Sequence, residues 1–422
     1  MTMGSNLIFQ ANFIWNTLAG LVNAAEAVIL LMVVGRTNGL EDAGVLTIAF
    51  AIGNLMMTIG RYGVRNYQVT DVEEKLSFGP YFTHRICTVF LMGIVTGTYL
   101  IYAWHFNGYS EYKCWVILLI CLIYMAESLE DVFWGLYQKN GRIDIGAKIF
   151  IARWALHLVV TSIALCLTHQ LIQSLVLGFL TGTFVSLTTN RKMITSYYKE
   201  PFIQWGGVKQ IFVNCFPLFI VAFLTNYVTN APKYAIDKYM SEADQACYGY
   251  IAMPVFVVML FSSFVYQPML TDIADEWKTQ NMHSLKNRIF KIVTVVIGLT
   301  VVCLTGAYIC GIPVLSWLYA TDLKAYKTEL LMLMIAGGGL GLVTFTSTLL
   351  TVIRKQKVTM LGYVFVALLA KLLFGHMVKS SGLSGAAGFY AVLMWGLAAF
   401  YSSVIYWQLR KKEYVDRGGE YL

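Results

Sequence analysis

The chain has 422 residues, of which 58% are hydrophobic and 13% charged, with a mean hydropathy of +0.63 and a formal net charge of +8. Soluble globular proteins carry nearer 25% charged residues, so this composition excludes one. It also excludes a β-barrel, because ~10-residue alternating strands are absent, and the His and Cys residues show no metal-ligand spacing.

Twelve apolar stretches fill the sequence: Leu7–Val34, Ala43–Gly60, Arg85–Trp104, Cys114–Leu136, Ile149–Thr168, Leu171–Thr189, Val208–Asn230, Tyr248–Leu270, Ile289–Gly311, Leu330–Ile353, Val358–Val378 and Ala386–Gln408. A helix rises 1.5 Å per residue, so about 20 apolar residues cross the ~30 Å hydrocarbon layer. The sequence therefore predicts an all-α polytopic membrane protein of about 12 transmembrane helices.

An ionised side chain at mid-span costs roughly 2.5–3.5 kcal/mol, so each one needs a partner or a task. Span 1 carries Asn23 and Glu26, and Arg36 stands in the turn after it. Span 4 carries Glu127, Glu130 and Asp131, and span 5 carries Arg153 and His157. Glu127 and Asp131 share a helical face, as do Arg153 and His157. With the loop between these spans centred between residues 142 and 143, an antiparallel hairpin sets Asp131 against Arg153 and Glu127 against His157. The arrangement predicts either internal neutralisation or a proton or cation relay through Glu127 and His157.

Span 7 carries Asn226 and Asn230, amides that bridge helices or line a wet pathway. Lys233 and Asp237 follow on one helical face. Pro217 and Pro254, in the first turns of spans 7 and 8, mark helix starts or bending points. The run Ala336-Gly-Gly-Gly-Leu-Gly341 in span 10 predicts close helix packing or local unwinding. Lys371 lies about 20 Å along span 11 from its inner end. Three fates are open to it: lining a polar cavity, pairing with Glu26, or snorkelling.

Placing both termini in the cytoplasm gives the inner loops about three times as many Lys and Arg as the outer loops, as the positive-inside rule demands. The positive balance is thus an orientation signal, and no nucleic-acid partner is expected. No Lys or Arg precedes the first apolar run, so no cleavable signal peptide is expected. Leu40–Ala49 aligns in part with Ala243–Ala252, and Asn23 with Asn226. This weak repeat predicts two six-helix bundles, 1–206 and 207–422, with the working site between matching halves.

Specific residues carry a family resemblance. Val34-Gly-Arg-Thr-Asn-Gly-Leu-Glu-Asp-Ala-Gly44 resembles the Thr-Arg-x-Leu-Gly-Pro-Glu-x-aromatic-Gly turn of polysaccharide-exporting flippases, matching at Arg36, Gly39, Glu41 and Gly44. Arg61–Asp71, Ser77-Phe78 and Tyr81–Ile86 resemble the cytoplasmic loop after span 2 in O-antigen-type flippases. Asn230–Tyr239 and Tyr248–Pro254 resemble their span 7–8 region. The likeness implies the multidrug/oligosaccharidyl-lipid/polysaccharide exporter superfamily: two six-helix bundles around a central cavity, working by alternating access in the bacterial plasma membrane. It implies an undecaprenyl-pyrophosphate-linked glycan as cargo, and glycan polymerase or export machinery as partners. No cofactor or metal is implied; a cation gradient or the membrane potential drives such cycles. Lys371, Arg153, Arg36, Lys233, Asn23, Asn226 and Asn230 become cavity candidates, and Glu26, Glu127, Asp131, His157 and Asp237 coupling candidates.

Two rivals remain. A drug or metabolite exporter of the same superfamily would use an acidic or aromatic cavity, which Glu26, Glu127 and Asp131 allow. A membrane glycan polymerase needs a large outer loop bearing catalytic groups. Only the segment at about 231–247 is polar, with Asp237, Glu242 and Asp244, so an enzyme is not expected.

Overall fold

Helices account for nearly all of the described residues. The computed structural model describes residues 2–71 and 76–416, with side chains from residue 8 to residue 412. Both chain ends, expected in the cytoplasm, lie outside the described residues. The first six long helices are α1 (Thr2–Thr37), α2 (Leu40–Arg61), α4 (Phe78–Phe106), α5 (Glu111–Lys139), α6 (Ile143–Thr168) and α7 (Leu171–Ile194), with a short α3 (Val64–Thr70) between α2 and α4. Then come α8 (Val208–Tyr239), α9 (Glu242–Tyr266), α10 (Leu270–Lys278), α11 (Met282–Gly306), α12 (Ile312–Tyr319), α13 (Lys327–Val352) and α14 (Gln356–Asp416).

Ten helical stretches among the described residues are long and apolar enough to cross a membrane. Large apolar side chains such as Phe9, Phe90, Leu167 and Trp317 lie exposed along them, as a surface solvated by acyl chains requires. One stretch is double. The 61 residues of α14 would run about 90 Å as a straight rod, three bilayer cores end to end. Gly382 breaks the rod at φ 57°, ψ −136°, a conformation essentially confined to glycine, and yields two spans. With α5, 29 residues long, these account for the twelve expected crossings. Pro254 is inside α9, which continues through it as one helix.

Two compact units, Met1–Asn226 and Tyr227–Leu422, divide the chain within α8. In the first, α2 packs against α5 and α4, α6 against α1 and α7, and α5 against α6 and α7. Close approach of α2 and α5 depends on missing side chains: a Cβ on Gly53 would meet Ile120 Cγ2 at 2.8 Å, and one on Gly60 would meet Ser128 Oγ at 2.7 Å. In the second unit α13 is central, packing on α9, α11 and α14. Its glycine run explains how. Gly337 and Gly341 face α9 at Val258 and Ser262, Gly338 faces Thr300 of α11, and Gly339 faces Met394 and Trp395 of α14. The run is helical throughout, so it serves close packing and not unwinding.

The polar loop expected at about 231–247 does not exist as a loop. Helix α8 continues to Tyr239 and α9 starts at Glu242, leaving Met240 and Ser241 between them. Ser241 and Asp244 close a reciprocal capping box on α9, which explains why a serine and an acid stand there.

Candidate functional site

The charged side chains of the first unit converge on one end of α5. Helix α2 stops at Arg61 because Tyr62 and Gly63 take left-handed backbone angles, φ 50° and 69°, after which the chain restarts as α3. Glycine at 63 suits both the positive φ and the space, since a Cβ there would meet Leu218 Cβ at 2.9 Å. Tyr62 stacks on Phe219 with ring centroids 4.7 Å apart, pinning the turn against α8. Arg61 and Arg65 are thereby set beside Glu127, Glu130 and Asp131 of α5.

Each acid is spoken for. Arg153 Nη2 donates to Glu127 Oε2 at 2.6 Å, and Trp154 Nε1 donates to the same oxygen at 2.9 Å. Arg61 Nη2 donates to the other oxygen, Oε1, at 2.6 Å. Arg153 Nε also stands 2.6 Å from Glu130 Oε2. Asp131 Oδ2 accepts from Arg85 Nη2 of α4 at 2.7 Å, and Oδ1 accepts from Arg65 Nη1 at 3.5 Å. Arg85 uses its Nη1 to bond the carbonyl of Gly60, the last turn of α2, at 2.6 Å. Arg65 makes two further bonds to Gln138 Oε1 and lies 4.2 Å over the Trp134 ring.

Both expected hairpin pairs are therefore corrected. Asp131 pairs with Arg85 and Arg65, while Arg153 pairs with Glu127 and Glu130. The reason is the turn: α5 ends at Lys139 and α6 starts at Ile143, so the hairpin centres on residue 141. That shift sets Arg153 opposite the Glu127–Glu130 turn. His157, expected on Glu127, instead packs edge-on to Trp154, 5.2 Å between centroids, and against Gly178 of α7.

A cavity of about 450 Å³ opens on this cluster, lined among others by Asn16, Arg61, Arg65, Asn66, Asp131 and Gln138. Arg61 and Arg65 keep 36% and 24% of their side chains exposed, while Arg85 and Arg153 keep 0% and 3%. The cavity thus presents two guanidiniums backed by two buried ones. Sequence reasoning used Arg61, Arg65 and Arg85 only as orientation charges and as part of the resemblance. Their recurrence at one end of three helices was the available signal.

The other sequence candidates lie elsewhere. Glu26 is buried and accepts from Tyr124 Oη at 3.1 Å; Asn23 is exposed on the same helix. Arg36 is exposed at the far end of α1, separated from Arg61 by the whole of α2, about 33 Å. Along one face of α8, Asn226, the last residue of the first unit, is half-buried, and Asn230 and Lys233 of the second unit are buried, with Asp237 following on the same face. Lys371 is exposed beside Leu368 and Leu372, which are exposed as well. No group of His, Cys, Asp and Glu suited to a metal ion occurs among the described residues.

No family model matches the chain. It is 22% identical over 333 residues to the capsular polysaccharide biosynthesis protein CapF of Staphylococcus aureus, covering 78% of this chain and 81% of that protein. Its structure resembles an inward-facing multidrug resistance MATE family transporter of the MOP superfamily, with a TM-score of 0.72, 11% identity, and 94% and 95% of the two chains covered. It also resembles the lipid II flippase MurJ in an inward closed conformation, with a TM-score of 0.70, 14% identity, and 92% and 87% covered. These likenesses show the fold: this is a multi-pass membrane protein whose fold is that of the MATE transporter of the MOP superfamily and of MurJ.

Proposed function

We propose that the protein is a flippase that carries a polyprenyl-pyrophosphate-linked oligosaccharide from the cytoplasmic to the outer leaflet of the bacterial plasma membrane by alternating access. The observation that carries this reading is the cavity of about 450 Å³ faced by Arg61 and Arg65. A pyrophosphate diester cannot cross hydrocarbon bare, and planar guanidiniums offer it paired, charge-assisted hydrogen bonds. The glycan needs a wet passage, while the polyprenyl tail can stay in lipid. Similarity to CapF, a capsular polysaccharide biosynthesis protein, supports a glycan cargo.

In the orientation expected from the loop charges, the ends of α2 and α5 face the cytoplasm, where such a cargo is assembled. The cavity is then its first contact, and Lys233 and Lys371 of the second unit are proposed later contacts for the anion. Glu26 is the proposed coupling residue, because its second carboxylate oxygen is buried without a partner among the described residues. A cationic-drug exporter would need acids free to meet its cargo, and Glu127 and Asp131 are both held by arginines.

Deleting the gene tests the proposal. Undecaprenyl-linked glycan is expected to accumulate on the cytoplasmic face while polymerase activity in extracts is unchanged. Normal surface glycan in the deletion strain would exclude the reading.

A further inference from the structure

Asp131 at the cavity wall and Glu127 behind Arg61 are each divided between an inner and an outer partner, one oxygen each. Glu127 gives Oε2 to Arg153 and Trp154, which are nearly inaccessible, and Oε1 to Arg61, which faces the cavity. Asp131 gives Oδ2 to the fully buried Arg85 and Oδ1 to Arg65, at the longer distance of 3.5 Å. If Arg61 or Arg65 lets go, neither carboxylate is left as an isolated buried charge, because each retains its inner cation. The outer bond can therefore open without the penalty that attends breaking most buried ion pairs. The cavity guanidiniums are the partly exposed partners; the inner ones are buried anchors.

We propose that Glu127 and Asp131 are built-in counter-ions that occupy Arg61 and Arg65 at rest, yield them to a pyrophosphate group entering the cavity, and reclaim them to expel it. The inference rests on the flippase reading and adds to it a mechanism of release. A site of two free guanidiniums would hold a dianion tightly and turn over slowly. Two carboxylates at hydrogen-bond distance compete for the same N–H donors, so they set the affinity at a level compatible with transport. Gln138, which accepts from Arg65 at 2.8 Å, lets that guanidinium swing between partners while keeping one bond.

The experiment uses the full-length protein in lipid nanodiscs, with inorganic pyrophosphate and geranylgeranyl pyrophosphate as probes. Binding is read by calorimetry and by the fluorescence of Trp134, whose ring underlies Arg65. Glu127→Gln and Asp131→Asn each free one cavity guanidinium from a charged competitor, so each is expected to bind the pyrophosphate lipid at least ~10-fold more tightly than wild type. The same variants are expected to transport more slowly in cells. Tighter binding of both probes assigns the effect to the pyrophosphate alone; tighter binding of the lipid only assigns it to pyrophosphate with its prenyl chain, and either supports the proposal. Folded variants that bind no more tightly than a binding-competent wild type overturn the counter-ion role and leave the flippase reading standing. No binding by wild type or variants overturns both. Should Glu127→Gln fail to fold, Glu127→Asp, which retracts the carboxylate from Arg61 but keeps its charge, supplies the same comparison.

Discussion

Arg85 and Asp131 meet at 2.7 Å, and the arginine side chain has no solvent exposure at all. The same guanidinium bonds the Gly60 carbonyl, so one side chain ties α4 to both α2 and α5 beneath the cavity. Replacing Arg85 by Met leaves Asp131 with only the 3.5 Å contact to Arg65. Breaking a buried pair in this way costs about 3–5 kcal/mol. A melting temperature in detergent well below wild type is expected for Arg85→Met, and partial recovery for Arg85→Met combined with Asp131→Leu.

On the proposed function, Arg61→Ala and Arg65→Ala are expected to impair capture of cargo and to leave folding intact. Each removes one partly exposed guanidinium from the cavity wall. A charge-assisted bond is worth about 1.5–3 kcal/mol, so each variant should weaken binding of a pyrophosphate lipid by about 10- to 100-fold. Complementation of the deletion strain should fall while the amount of protein in the membrane holds. Full complementation by the double variant would remove the cavity from the transport route.

Lys233 is buried on α8, with 9% of its surface exposed, and makes no ion pair among the described residues. An unpaired buried ammonium is costly to fold around, so its retention calls for a use. Lys233→Met is expected to leave thermal stability equal or higher and to reduce transport. A variant with wild-type transport would show that the ammonium has no part in moving the anion.

Helix packing in the second unit hangs on α13. A side chain at Gly338 would run directly into Thr300 of α11, and one at Gly339 into Met394 at 3.0 Å. Gly338→Val should destabilise by about 1–3 kcal/mol through overpacking, read as a lower melting temperature. Gly298 of α11 has open space around its Cβ position, and Gly298→Val serves as the tolerated control.

Much of this architecture was readable from hydropathy, because lipid imposes span length directly on the sequence. The span ends at Gly60, Thr168 and Gly311 lie close to helix boundaries or irregularities at Arg61, Thr168 and the π-helical turn Ala307–Gly311. The charged residues of α5 and α6 were recognisable, but their partners were not. Pairing depends on a register that a two-residue error in the turn alters, and here the turn centre moved from between 142 and 143 to 141. Arg61, Arg65 and Arg85 were harder still. At span ends a base satisfies the orientation rule whether it faces water or a buried acid, so only coordinates separate the two roles. The segment at 231–247 misled for a related reason: polar residues in a capping box look like a loop.

The reversal of backbone hand at Tyr62 and Gly63 has an evolutionary corollary. It fixes the gap between Arg61 and Arg65 by main-chain geometry, outside any long rod of the bundle. Arg65 itself stands in α3, and Val64 and Gln68 of the same helix are buried against α5, so that gap can change only together with the packing beneath it. The spacing of the two cavity guanidiniums is thus inherited with the core of the first unit and cannot drift on its own.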